Sequence, residues 1–211
     1  MARTICQGCV RPVNACWCHC SRAVANRIEI GILQHPDEAK QAKSTVPLLV
    51  KCLNRVQLWK GETVSDAQIC ALVLQDSAME LNRWLVNGKH TYLLYPKTED
   101  DSPTLPLVTV ESLRPNLQDS QILVLDGTWR KTYKMLMLNP QLQSLPRISV
   151  EPRKASQYFI RKQKNSDSLS TLEAVGELLA QLQEDGCIYT ELNEAFDCFQ
   201  KSVFHKRHSR E

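Results

Sequence analysis

The stretch ILVLDGTWRKTYKMLML, residues 122–138, decides how this chain is read. Ile122 to Leu125 is a short continuous apolar run of the kind a strand covered on both faces requires, and Asp126-Gly127 punctuates it. No Gly or Pro follows between Thr128 and Leu138. Trp129, Tyr133, Leu136 and Met137 recur on one side at helical spacing, Arg130, Lys131 and Lys134 fall mostly on the other, and Pro140 closes the helix. A carboxylate at the carboxyl end of a buried strand, just ahead of a helix, stands where open α/β sheets form ligand crevices. The same position suits a plain helix cap, so Asp126 has both a functional and a structural reading.

Working outward, further apolar runs fit the same plan: Arg27–Leu33, Ala71–Leu74, Thr91–Tyr95 and Arg147–Val150. Helical or loop segments separate them, with a helix or helical turn expected over Asp37–Lys43 and helices over Leu48–Leu53, Thr171–Gln183 and Ile188–Phe204. Short buried strands joined by crossovers describe a mainly parallel sheet with helices on both faces. Gly186 is read as the end of the helix that precedes it. Ser170-Thr171-Leu172-Glu173 has the form of a capping box, which marks a helix start and sets free amides at its positive end. Neither a Rossmann glycine fingerprint nor a phosphate-binding P-loop occurs.

The first twenty residues are of another kind. Cys6 and Cys9 form a CxxC pair, and Cys16 and Cys18 supply two more thiols at close range, a soft tetrahedral set suited to structural zinc. His19 and Cys20 are rival ligands, and an iron–sulfur cluster is the competing occupant. Residues 1–24 are therefore expected to be a metal module and 25–211 the main domain. Cys52, Cys70, Cys187 and Cys198 stand alone, which reads as reduced thiols.

At 211 residues the chain is long enough for one sizeable core. No apolar run approaches a membrane span and no signal region precedes the first cysteines, so a cytoplasmic protein with no membrane association is expected. Net charge is +3, from 26 basic and 23 acidic residues, but it is unevenly placed. Residues 127–164 hold nine Lys or Arg against Glu151 alone, which leaves 17 basic and 22 acidic residues elsewhere. A local basic zone suits a phosphate-rich partner, though a solvated helix face and a basic loop are the plainer reading. Beside Pro36, His35 reads as a turn residue bonded to backbone rather than as a catalyst.

Taken together, the ordered blocks resemble one family. The N-terminal cysteines, Gln34-His35-Pro36 with Glu38, Leu93-Leu94-Tyr95-Pro96, Asp126-Gly127-Thr128-Trp129-Arg130-Lys131, Tyr158 with Arg161-Lys162, and Ser170 to Ala174 match the DTW-domain proteins, whose signature is DxTW. Ser44-Thr45 departs from the Asn-Thr common there. The resemblance implies a SPOUT-like α/β domain with a knot near its C-terminus, and a tRNA-uridine aminocarboxypropyltransferase. Such enzymes move the 3-amino-3-carboxypropyl group of S-adenosylmethionine to N3 of a tRNA uridine and release methylthioadenosine.

That activity needs a base for the N3 proton, for which Asp126 is the first choice and Glu173 the second, with Thr128 and Trp129 completing the catalytic set. Trp129 would stack on the uracil or wall the co-substrate. Backbone at Leu94, Tyr95, Pro96, Gly127, Ser170, Thr171 and Leu172 would cradle S-adenosylmethionine. Arg130, Lys131, Lys134, Tyr158, Arg161 and Lys162 would hold tRNA. A monomer is expected. The competing readings are an RNA methyltransferase of the same fold and a non-enzymatic zinc-ribbon RNA-binding module.

Overall fold

The computed structural model describes residues 4–69, 80–96, 107–150 and 169–208. Along them run β1 (Glu29–Gln34), α1 (Pro36–Ala39), α2 (Val46–Cys52), β2 (Val56–Lys60), β3 (Gln68–Ile69), α3 (Leu81–Leu85), β4 (His90–Leu94), β5 (Leu107–Val108) and α4 (Val110–Leu113). After these come β6 (Ser120–Asp126), α5 (Trp129–Leu138), α6 (Pro140–Gln143), β7 (Arg147–Ile148), α7 (Thr171–Gln183) and α8 (Gly186–His208). The strands form one seven-stranded sheet in the order β3-β2-β1-β6-β4-β7-β5, parallel except where β3 pairs with β2.

Alternation of side chains along the strands feeds two cores. Ile30, Ile32, Leu58, Ile122 and Val124 point to one face, where Leu48 and Leu49 of α2, Val175 and Leu178 of α7, and Phe196 and Phe199 of α8 cover them. Leu33, Trp59, Leu93, Leu123 and Leu125 point to the other, against Trp84 of α3, Met135 and Leu136 of α5, and Leu142 of α6. All seven residues of β6 are buried, as a central strand requires. Gly31 lets the sheet sit under two indoles: a Cβ there would lie 2.7 Å from Trp84 and 3.0 Å from Trp59.

The expected runs become β1, β4, β6 and β7, each shifted or shortened by a residue or two, while Ala71–Leu74 lies outside the described residues. Strand β2 was not expected. Its sequence VQLWK carries Gln57 inside the sheet and Lys60 at its end, and these polar residues hide the apolar pattern. Residues 37–43 form only the single turn of α1, closed where Lys40 caps it. The capping box forms as read: Ser170 Oγ accepts from Glu173 N at 3.3 Å and Glu173 Oε2 from Ser170 N at 2.7 Å. At the far end of α7, Glu184 takes the left-handed conformation at φ 54°, so Gly186 opens α8 instead of ending α7.

Two further expectations are corrected. On α5 the buried residues are Thr132, Met135 and Leu136, while Trp129, Tyr133 and Met137 face outward, half exposed. Met135 and Leu136 join the core of Leu123 and Leu125, and Gly127 lies close to the start of the helix, where a Cβ would meet Lys131 at 3.1 Å and Thr132 at 3.3 Å. Cys198 is not a lone thiol, because α8 carries it to Cys20 and the two are disulfide-bonded across 178 residues. The N-terminal segment is thereby held on α8, where Trp17 also packs edge-on against Phe199 at 5.6 Å.

Candidate functional site

Strands β1 and β6 are neighbours, but their chains leave in opposite directions. From β1 the chain turns through α2 to β2; from β6 it crosses through α5 and α6 to β7, beyond β4. That divergence makes the carboxyl ends of the two strands a switch point, the place where open α/β sheets form their ligand crevices. Gln34 ends β1 and Asp126 ends β6, paired in register.

Asp126 is 8% exposed and both of its oxygens accept hydrogen bonds. Gln34 Nε2 donates to Oδ2 at 2.9 Å and Thr171 Oγ1 donates to Oδ1 at 2.5 Å. Gln34 Nε2 also lies 3.1 Å from Ser44 Oγ, so the serine that departs from the family's asparagine contacts the group that orients the carboxylate. Each oxygen of the carboxylate thus has a donor that fixes its orientation. Thr171 is the first residue of α7, and the capping box at Ser170 and Glu173 is what holds it there. Asp126 does not cap α5: Thr128 occupies that place, with no side-chain bond to the helix. Glu173, 6% exposed, commits Oε2 to the capping box.

His35 follows Gln34, and its backbone N–H donates to the Asp126 carbonyl at 2.9 Å. Its Nδ1 accepts from Asp37 N at 3.1 Å, so the ring proton sits on Nε2, 3.1 Å from Glu62 Oε1. It is a buried turn residue bonded to backbone, as the sequence suggests. Glu62 is held below the usual carboxylate range, mainly by the Lys134 ammonium bonded to it at 2.5 Å. Lys131 Nζ is likewise engaged, 3.0 Å from Glu38. Arg130 is exposed on the same helix.

Trp129 stands beside the crevice with its ring edge-on to Tyr95 at 6.0 Å, and the Arg147 guanidinium lies 5.3 Å from the Tyr95 ring. The end of β4 therefore brings Leu94 and Tyr95, both buried, toward the same edge as Gly127 and α7, with Pro96 exposed after them. Leu172 is wholly buried and has only its backbone to offer. Tyr158, Arg161 and Lys162 lie outside the described residues. Gln34 and Ser44 are contributions that sequence reasoning did not assign to the site; the QHP block was the available signal.

At the N-terminus the sulfurs of Cys6, Cys9, Cys16 and Cys18 lie within 4.8 Å of one another. Cys6 to Cys18 is 3.9 Å and Cys16 to Cys6 is 3.4 Å, close to the roughly 3.8 Å that a tetrahedral ion with 2.3 Å metal–sulfur bonds sets between its ligands. Gly8 has to be small, since a Cβ would come 2.9 Å from Cys18 Sγ. The Cys6 thiol is pulled down to about 6 by the Cys9 backbone N–H first, then by Cys16 and Gly8, while burial leads the causes that push Cys18 up to about 12. The four cysteines could hold a metal ion.

The fold and this crevice define an α/β protein with a carboxylate-centred site at a sheet's switch point and a four-cysteine cluster at its N-terminus. Residues 3–204 match the profile of the DTW domain, and the chain belongs to the DTW domain family. It is 29% identical to the tRNA-uridine aminocarboxypropyltransferase 2 of Drosophila melanogaster over 187 residues, 86% of this chain and 67% of that one. It is 29% identical to the mouse protein of the same name over 200 residues, and 26% identical to tRNA-uridine aminocarboxypropyltransferase A of Arabidopsis thaliana over 209. The match spans 59% of the mouse relative and 74% of the Arabidopsis one. No solved structure matches. Among the described residues no helix is long and apolar enough to cross a membrane.

Proposed function

We propose that this protein transfers the 3-amino-3-carboxypropyl group of S-adenosylmethionine to N3 of a uridine in tRNA. The observation that carries this reading is Asp126, oriented by Gln34 and Thr171 at the switch point. Uridine N3 carries a proton and becomes a competent nucleophile as that proton leaves for the carboxylate. N3 then bonds to the methylene carbon attached to the sulfonium, the carbon–sulfur bond breaks, and its electron pair stays on sulfur as methylthioadenosine. The sulfonium activates three carbons alike, so the protein's task is to choose among them by orientation.

Backbone at Leu94, Tyr95, Pro96 and Gly127 would hold the adenosine. The first-turn amides of α7 at Thr171 and Leu172 would take the methionine carboxylate, aided by the helix dipole, while Ser170, its own N–H bonded to Glu173, would hold the turn in place. Trp129 would stack on the uracil, and Thr128 would set the turn that aims it. Arg130, Lys131 and Lys134 would meet phosphates, the two lysines exchanging their Glu38 and Glu62 partners for the RNA. Asp126 is preferred to Glu173 as base because the glutamate is engaged in the capping box. The mainly parallel sheet is in keeping with a SPOUT-like arrangement, which the family resemblance would extend to a knot near the C-terminus. Residues 1–24 would form a zinc module, its thiolates matched to a soft tetrahedral ion.

Incubating the purified protein with S-adenosylmethionine and unmodified tRNA, then digesting to nucleosides for mass spectrometry, tests the proposal. Aminocarboxypropyluridine and methylthioadenosine in equal amounts are expected. A methylated nucleoside with S-adenosylhomocysteine would instead point to methyl transfer.

A further inference from the structure

We propose that the outward face of α5 is a nucleobase platform, on which Tyr133 and Met137 continue the surface begun by Trp129 and receive unpaired bases next to the modified uridine. This rests on the reading of the crevice as the site where a tRNA uridine is modified.

Trp129, Tyr133, Met137 and Leu138 are 57%, 44%, 43% and 47% exposed, while the same helix buries Thr132, Met135 and Leu136. The stripe is therefore a second face and not an unfilled part of the core. Trp129, Tyr133 and Met137 follow at four-residue steps, which spreads them over about 12 Å of helix, the length of three to four bases at a 3.4 Å stacking rise. The row begins three residues after Asp126, so a strand whose uridine enters the crevice has this surface as its continuation. Rings and a polarisable thioether suit base faces of any sequence.

The charges beside the row agree. Arg130 and Lys134 are exposed on the same helix, and α5 carries no acidic residue. A second copy of the chain fits less well. Four half-exposed side chains fall well short of the roughly 800 Å² per partner of a stable interface, and a two-fold axis here would set Arg130 and Lys134 against their own copies.

The test compares the parent with the Tyr133→Ala/Met137→Ala double variant and with Tyr133→Phe. Fluorescence anisotropy is read with a labelled single-stranded mixed-sequence oligoribonucleotide and with its duplex. The double variant should bind the single strand at least tenfold more weakly at an unchanged slope of log affinity against log salt. Duplex binding should stay put, and Tyr133→Phe should restore the single-strand affinity. In transfer assays the double variant should raise KM for tRNA by about tenfold with kcat within twofold. Unchanged affinity would sink the platform, as would a loss confined to the salt slope. Sedimentation showing a parent dimer that the double variant loses would assign the face to a second copy. Binding is read without turnover, so a protein that loses RNA affinity in the double variant yet transfers nothing would overturn the reaction and leave the platform standing.

Discussion

At the scale of single residues the proposed site turns on a carboxylate whose two oxygens are both held. Gln34 and Thr171 occupy one acceptor position on each oxygen of Asp126. Asp126→Asn preserves the shape and removes the proton acceptor, so transfer should fall by about 10²- to 10⁴-fold while circular dichroism is unaltered. Full turnover in that variant would remove Asp126 from the chemistry. Gly31 makes a purely steric case. A methyl group would press on two buried indoles, tilted at 59° with centroids 5.3 Å apart, and Gly31→Ala should lose about 1–3 kcal/mol in a denaturant titration. Asp126 could be singled out from the chain by its place after an apolar run, whereas Gln34 could not. The Gln34-His35-Pro36 block marks the strand end but gives the glutamine no role, which comes from an aspartate 92 residues away.

Among the elements, α7 links stability to the site. Its capping box places Thr171 against Asp126, so a defect in the cap should be felt in two measurements. Ser170→Ala should cost about 1 kcal/mol of stability by thermal denaturation. It should also lower transfer more than that loss of folded protein explains, because Thr171 loses its fixed start. An effect on stability alone would separate the cap from the chemistry. The capping box was legible because it is a matter of spacing within four residues. Helix α5 was legible as a helix for the same reason, but its inward face was not. Trp129, Tyr133 and Met137 look like core by hydrophobicity, but it is Met135 and Leu136 that join Leu123 and Leu125 of the sheet, and Thr132 is buried with them.

For the molecule as a whole, the cysteine cluster is anchored to the last helix through Cys20–Cys198 and Trp17–Phe199. Metal binding there needs thiolates, so it is linked to pH. Cys6, lowered to about 6, is already a thiolate near neutrality, whereas Cys18, raised to about 12, must give up its proton to the solvent. Zinc titrated into the metal-free protein at pH 7 should therefore release fewer than four protons per ion, read by calorimetry in buffers of different ionisation enthalpy. Zinc affinity should also fall more steeply with pH below about 6, where the Cys6 proton must be displaced as well, than it does above, checked by competition titrations on either side of that value. Release of all four protons at neutral pH would contradict this account of Cys6. What the chain alone determined is what short-range rules can carry: apolar runs that must be strands, a capping box that must start a helix, and thiols close enough to share an ion. What only the tertiary structure decided is which distant groups meet: Gln34 and Thr171 on Asp126, Cys20 on Cys198, and the outer side of α5. Periodicity and spacing act over a few residues, but these contacts follow from how strands order in the sheet and how closely helices pack on it.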